Sequence, residues 1–183
     1  MRRILGIAFL FALAIALAPA AAAQAAQQAA PAAEIGLRAE LLRQYDDAAG
    51  KAVRLAEKIP AESYGWQPME GVRTVSQVFM HMAIDCYILG RYMGTPVPEG
   101  VNPRELEKIT AKDQVVAEMK KAFAFGRAAI ENSELDKEII VRRRTVAARE
   151  MALSLTVHTH EHLGQAIAYA RSNKIVPPWS EGN

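Results

Sequence analysis

The segment HTHEHLGQ, residues 158–165, places three of the four histidines of the chain within five positions. Imidazole is a common metal ligand and titrates near neutral pH, so this density points to metal binding or proton transfer. At about 100° per residue on a helix, His158 and His162 lie about 40° apart, whereas His160 faces the opposite side. Gln165 continues the face of the first pair. Burying these polar groups without partners is costly, so this face predicts a metal, a ligand or a water-filled cavity.

The fourth histidine, His81, lies in QVFMHMAID, where Asp85 falls on the same helical face one turn later. If this face meets the first one, His81, His158 and His162 can supply three nitrogens to one divalent ion and leave positions open to water or substrate. Other interpretations stay open at this point. A histidine pair four residues apart is often a solvated face, and a lone histidine beside methionine is often a satisfied core residue. Asp85 is either a partner that fixes a histidine tautomer or an exposed carboxylate.

Four stretches have the apolar spacing of amphipathic helices, with turn residues between them. The first covers about 34–58, and the second runs from Thr74 or Ser76 to about 92. The third begins with Thr110 as N-cap and Asp113 as its capping-box partner, and the fourth covers about 146–172. The segment ELDKEIIVRRRT before the last helix predicts a loop or a short extended piece. Four helices of about 20 residues, with a long connection between the second and third, predict an all-α four-helix bundle over residues 34–180.

The N-terminal residues have the layout of a secretory signal peptide. Arg2 and Arg3 precede an apolar run over residues 4–18, and small residues follow Pro19 as far as Ala23. The run is shorter than the roughly 20 residues of a membrane span, so we expect no stable membrane insertion after cleavage. We predict a signal peptide over residues 1–23, a flexible Ala/Gln leader over residues 24–33, and a secreted or periplasmic protein.

Export also changes the charge balance. The chain has 22 Lys and Arg and 20 Asp and Glu, and loss of Arg2 and Arg3 leaves 20 of each. This balance gives no reason to expect a nucleic-acid partner, and the partner that we expect is a small-molecule substrate. The single cysteine, Cys86, has no second cysteine for an internal disulfide, and its apolar neighbours predict a buried, unreactive side chain.

Two segments of the chain resemble the DinB-like family. The first, IPAESYGWQPMEGVRTVSQVFMHMAID, is similar to the family's proline-led linker and the helix with the first metal histidine. The second, HTHEHLGQAIAYARSNKIVPPWS, is similar to the closing signature, a histidine pair followed by Gly-Gln and a final Ile-Val-Pro-Pro. The resemblance implies a four-helix bundle, often dimeric, with a divalent metal on His81, His158 and His162. Leu163 stands where many relatives have arginine, and a signal peptide is unusual for characterised members.

The resemblance implies either a metal-dependent thiol S-transferase or a hydrolase-like protein. Because low-molecular-weight thiols are scarce in an oxidising compartment, we rank a metal-dependent hydrolase first and the S-transferase second. A bundle that binds a metal or small ligand without turnover is the third hypothesis. In the hydrolase, Glu161 or Asp85 is the predicted proton acceptor and Gln165 positions a bound group. Three histidines suit Zn²⁺, Ni²⁺, Fe²⁺ or Mn²⁺, and a homodimer through the first and third helices is a further expectation.

Overall fold

The computed structural model describes residues 36–180, so the predicted signal peptide and leader lie outside the described residues. Its long helices are α1 (Leu37–Lys58), α2 (Val75–Tyr92), α3 (Lys112–Asn132) and α4 (Ala148–Ser172), with strands β1 (Glu138–Val141) and β2 (Arg144–Ala147) before α4. The predicted four-helix bundle is confirmed, and its long connection between α2 and α3 contains a 3-10 helix over Pro103–Lys108. Within residues 36–180, no helix combines the length and the apolarity that a membrane crossing requires.

The helices are arranged so that α1 and α2 lie at opposite corners of the bundle, each packed against both α3 and α4. Helices α2 and α4 run antiparallel. Asp85, in the second half of α2, contacts His158 on α4, whereas Tyr169, near the end of α4, contacts Arg73 just before α2 begins. This packing brings the polar faces of α2 and α4 together, as the sequence requires for a shared site.

The centre of the bundle is closely packed around Tyr45 on α1. Its ring is fully buried, its hydroxyl donates to the Phe123 carbonyl over 3.1 Å, and the same oxygen lies 3.3 Å from Cys86 Sγ. The prediction that Cys86 is buried is confirmed. Gly126 on α3 faces this hydroxyl so closely that a Cβ atom would overlap it.

Helix α2 starts at a capping box. The Thr74 side chain accepts from the Gln77 amide, and the Gln77 side chain accepts from the Thr74 amide over 2.9 Å. Two otherwise unsatisfied backbone donors are thereby paired, which fixes the first residue of the helix. Of the two predicted caps, the structure therefore selects Thr74.

The predicted start of α3 is wrong. Neither Thr110 nor Asp113 forms a capping box, because Ala111 is the N-cap and its methyl side chain accepts no hydrogen bond. The helix begins at Lys112, whose ammonium donates to the Glu57 carbonyl near the end of α1 over 2.8 Å. A contact between two helices, which local sequence does not reveal, lies at this boundary.

The predicted start of α4 is also wrong, by two residues. Val146 and Ala147 belong to β2, where Val146 pairs with Ile139 of β1 in an antiparallel register. Pairing of β-branched residues on a half-buried hairpin favours the strand at this position. The two-residue turn of the hairpin holds Arg142 and Arg143 at positive φ, as a tight hairpin turn requires.

We predict that Gly126→Ala destabilises the protein, because the added methyl group displaces the Tyr45 hydroxyl from its buried hydrogen bond. Loss of that bond and overpacking should lower the free energy of unfolding by about 1 to 3 kcal/mol, measured by urea denaturation. The control is Gly50→Ala on α1, whose Cβ would meet only the end of the Arg54 side chain at 3.5 Å. Because alanine is the better helix former, this control should be neutral or stabilising. Equal effects of the two substitutions would contradict the close packing.

Candidate metal centre

Three histidines from two helices meet in the seam between α2 and α4. His81 lies on α2 and His158 and His162 lie one turn apart on α4, and one ring nitrogen of each lies within 4.8 Å of the others. The three rings contact each other edge to face, with centroids 4.3 to 4.8 Å apart. The structure therefore brings together the three residues that the sequence predicts as metal ligands.

A carboxylate joins this cluster. His158 Nε2 lies 2.8 Å from Asp85 Oδ2 and 3.1 Å from His81 Nε2, and the same Asp85 oxygen lies 3.9 Å from His81 Nε2. Asp85 thus faces the nitrogens on the inner side of the cluster. An outer partner that only fixes a histidine tautomer would instead contact the nitrogen pointing away from the shared centre.

Burial favours the neutral form of two of the histidines. The pKa of His81 is lowered to about 4, chiefly by burial and also by the Arg73 charge and the other two histidines, against the opposing effect of Asp85. Burial also lowers the pKa of His162. For Asp85, burial alone would raise the pKa, but the hydrogen bond with His158 and the nearby histidines lower it overall. Imidazole nitrogens suit a divalent cation, and the ionised carboxylate beside them adds a negative charge that stabilises the cation.

A chain of hydrogen bonds orients His162. Gln165 Nε2 donates to the Tyr169 hydroxyl over 3.2 Å, so Gln165 Oε1 is the acceptor for His162 Nδ1, 2.7 Å away. The Tyr169 hydroxyl donates in turn to the Arg73 carbonyl over 3.1 Å. With its proton held at Nδ1, His162 presents the Nε2 lone pair to the cluster, which is the arrangement that metal-binding histidines adopt.

The hydrogen bonds of the protein do not satisfy His158. Its Nδ1 atom is buried and lacks a hydrogen-bond partner among residues 36–180, while its Nε2 atom faces another histidine nitrogen and a carboxylate. A histidine that only stabilised the core would normally have both nitrogens paired. Two histidine nitrogens and a carboxylate oxygen therefore lie close together at one point, as residues arranged around a cation do.

The other predicted residues lie around this centre at different depths. Gln165 is half-buried and contacts His162 directly. Glu161 is exposed and lines, with His160 and apolar residues of α1 and α4, a separate cavity of about 670 Å³. Its negative charge nevertheless acts on His162 by raising the pKa of that residue. His160, which helical periodicity places on the side opposite to His158, is exposed.

A polar cavity of about 640 Å³ adjoins the histidine cluster. Gln165 forms part of its wall, and the rest comes from the loop before α2, from α2 itself and from the 3-10 helix: Gly71, Val72, Arg73, Gln77 and Glu107. Sequence reasoning missed Arg73, because it lies in a loop where no helical periodicity assigns it to a face. Its position one residue before the Thr74 cap is the one signal that could have found it.

Comparison with known proteins agrees with this geometry. The family model described as the DinB superfamily matches residues 44–166. A DinB-like protein from Bacillus cereus is 14% identical with a TM-score of 0.66, covering 75% of this chain and 93% of its own. A DinB-like protein from Bacillus subtilis is 16% identical with a TM-score of 0.59, covering 75% of this chain and 94% of its own. At these identities the two structures show a shared fold. No curated protein matches the chain.

The buried histidines predict a pH dependence for the metal-free protein. Because the pKa of His81 is about 4 in the folded chain and about 6.5 when unfolded, the unfolded chain binds more protons between these values. Stability should therefore fall as the pH drops from 6.5 towards 4, by about 2 to 3 kcal/mol in urea denaturation.

His81→Gln should remove the larger part of this fall, whereas the exposed His160→Gln, the matched control, should keep it. The same slope in the parent and in His81→Gln would contradict a buried, neutral His81.

Proposed function

The chain belongs to the DinB superfamily, and we propose that it binds one divalent metal ion through His81, His158 and His162 and hydrolyses a small molecule there. When bound, such an ion polarises a substrate and lowers the pKa of coordinated water. The observation that carries the proposal is the position of Asp85. Its carboxylate lies on the inner side of the cluster, 2.8 Å from His158 Nε2, where hydrolysis needs a proton acceptor.

Asp85 suits that task better than the alternative carboxylate. It is ionised at neutral pH, since its pKa is lowered overall, and it lies inside the cluster, 2.8 Å from His158 Nε2. Glu161 is exposed and lines another cavity, and its influence on His162 is through its charge. We therefore assign proton acceptance to Asp85. Glu161 acts on His162 only through its charge.

Gln165 has a positioning role in this proposal. Its Oε1 atom holds the His162 proton at Nδ1, and its Nε2 atom is tied to Tyr169. Trp66 packs edge-on against the Tyr169 ring, with centroids 5.3 Å apart, and supports the same chain from the linker before α2. His162 is thereby kept in one orientation, which limits the reorganisation that binding requires.

Two considerations favour water over a thiol as the reacting nucleophile. Export, which the sequence predicts, would place the protein where reduced small thiols are scarce. The chain's own cysteine does not supply a thiolate, since burial raises the pKa of Cys86 to about 12 and its sulfur faces Tyr45. The first consideration ranks hydrolysis above the transfer of a small free thiol, and the second excludes Cys86 itself as the nucleophile.

The test is a comparison of Asp85→Asn with Glu161→Gln in the metal-loaded protein, using a panel of small esters and amides. Asp85→Asn removes the proton acceptor and keeps the side-chain shape, so we expect kcat to fall by about 10² to 10⁴ while metal content stays near that of the parent. Glu161→Gln should change kcat by less than about threefold.

The outcomes separate the hypotheses. Equal kcat in the parent and Asp85→Asn would contradict the assigned role. A metal-loaded parent that transfers small thiols but hydrolyses no member of the panel would favour the S-transferase. A metal-loaded parent without either activity would favour a binding protein.

A further inference from the structure

We propose that Arg73 and Gln77 bind a carboxylate group of the substrate, so that the small molecule this chain acts on is a carboxylic acid. The inference deepens the proposed function and rests on it. The observation behind it is the polar cavity beside the histidines, which has Arg73 and Gln77 in its wall together with Gln165. A volume of about 640 Å³ is in the range of small-molecule sites in proteins.

The cavity and the histidine cluster share one neighbouring side chain, Gln165. This side chain lines the cavity and contacts His162 Nδ1 at 2.7 Å. Gln77 lies one helical turn before His81 and therefore on the same side of α2. The Arg73 charge also reaches the cluster, since it lowers the pKa of both His81 and His162. A molecule in the cavity would thus lie against Arg73, Gln77 and Gln165, beside the helix turns that hold His81 and His162.

The backbone of Arg73 is held in place. Its carbonyl accepts from the Tyr169 hydroxyl over 3.1 Å, and the next residue, Thr74, is fixed by the capping box. Gln77 Oε1 is used in that box, which leaves the Gln77 Nε2 amide as the donor of this side chain. A rigidly placed backbone reduces the entropy lost when the Arg73 guanidinium binds a ligand.

The charges of the cavity favour a single carboxylate. Arg73 Nη2 lies 3.9 Å from Glu107 Oε1, beyond hydrogen-bond distance, and the side chains are 42% and 49% exposed. Because this ion pair is long and exposed, it contributes little stability, and a ligand can replace Glu107 as the partner of Arg73. One guanidinium matches the planar, bidentate geometry and offsets the single charge of a carboxylate, whereas the second charge of a phosphate dianion would increase the repulsion from Glu107.

The test measures binding and requires no turnover. The probes are hydroxamates, which coordinate a divalent metal, with a terminal carboxylate on malonyl, succinyl and glutaryl chains; the matched probes carry a neutral carboxamide instead. Isothermal titration calorimetry is performed on zinc-loaded protein whose metal content is measured beforehand. In the parent, the best-fitting carboxylate probe should bind at least about tenfold more tightly than its carboxamide counterpart.

Variants assign that preference to Arg73. Arg73→Gln should abolish it at unchanged zinc content, and Arg73→Lys should keep only part of it because the ammonium cannot bind a carboxylate bidentately. Glu107→Gln should strengthen carboxylate binding a few-fold by removing the competing charge. The control is Arg127→Gln, whose guanidinium pairs with Asp46 and Glu131 elsewhere on the bundle.

Three results would overturn the inference, and they can be distinguished. A fully zinc-loaded parent with no carboxylate preference, or an Arg73→Gln variant that keeps the preference of the parent, refutes the carboxylate site and leaves the proposed function intact. A parent that takes up none of Zn²⁺, Ni²⁺, Fe²⁺ and Mn²⁺ refutes the proposed function, and the inference falls with it.

Discussion

The antiparallel packing of α2 against α4 is the constraint on which the rest of the structure depends. It places His81 against His158 and His162 in a half-buried seam, where a helix bundle ordinarily packs aliphatic side chains. Neutral imidazoles tolerate this burial, as the low pKa of His81 shows, but their nitrogens still need partners. The protein supplies partners for some of them, through Gln165 and Asp85, and leaves a cluster of inward-facing acceptors that a cation would satisfy.

The apolar and polar sides of the bundle have different roles: the apolar side fixes the helix packing, and the polar side orients the site residues. Around Tyr45, close contacts with Gly126 and Cys86 leave no room for adjustment, and this packing holds the helices in register. At the other side, the hydrogen-bond chain from His162 through Gln165 and Tyr169 ends on the Arg73 backbone. The loop before α2 is therefore tied to α4, and the histidine geometry and the shape of the neighbouring cavity depend on the same contacts.

Helical periodicity predicted much of this arrangement. The 40° separation of His158 and His162 puts them on one face of α4, and the second polar face around His81 allows the two faces to meet without requiring it. The resemblance to the DinB-like family is what implied the three histidines together as ligands. Helical periodicity gives no information about loops, and Arg73 was therefore missed. It also cannot show which histidine nitrogen faces Asp85. It also misplaced the start of α3 at Thr110, where Ala111 is the N-cap, and the start of α4 at Val146, which pairs with Ile139 in the hairpin. At the first boundary, Lys112 contacts Glu57 of α1, far away in the sequence, and at the second, pairing within a short hairpin decides the local conformation.

The most direct measurement is the metal content of the protein, expressed without a histidine tag and dialysed against Zn²⁺, Ni²⁺, Fe²⁺ or Mn²⁺ in turn. The account predicts about one ion per chain for at least one of these metals. His81→Gln, His158→Gln and His162→Gln should each lose it, since each removes a nitrogen of the same cluster, and His160→Gln should retain it. A parent that binds none of the four metals, or a His160→Gln variant that loses as much metal as the other three, would contradict a centre built between α2 and α4.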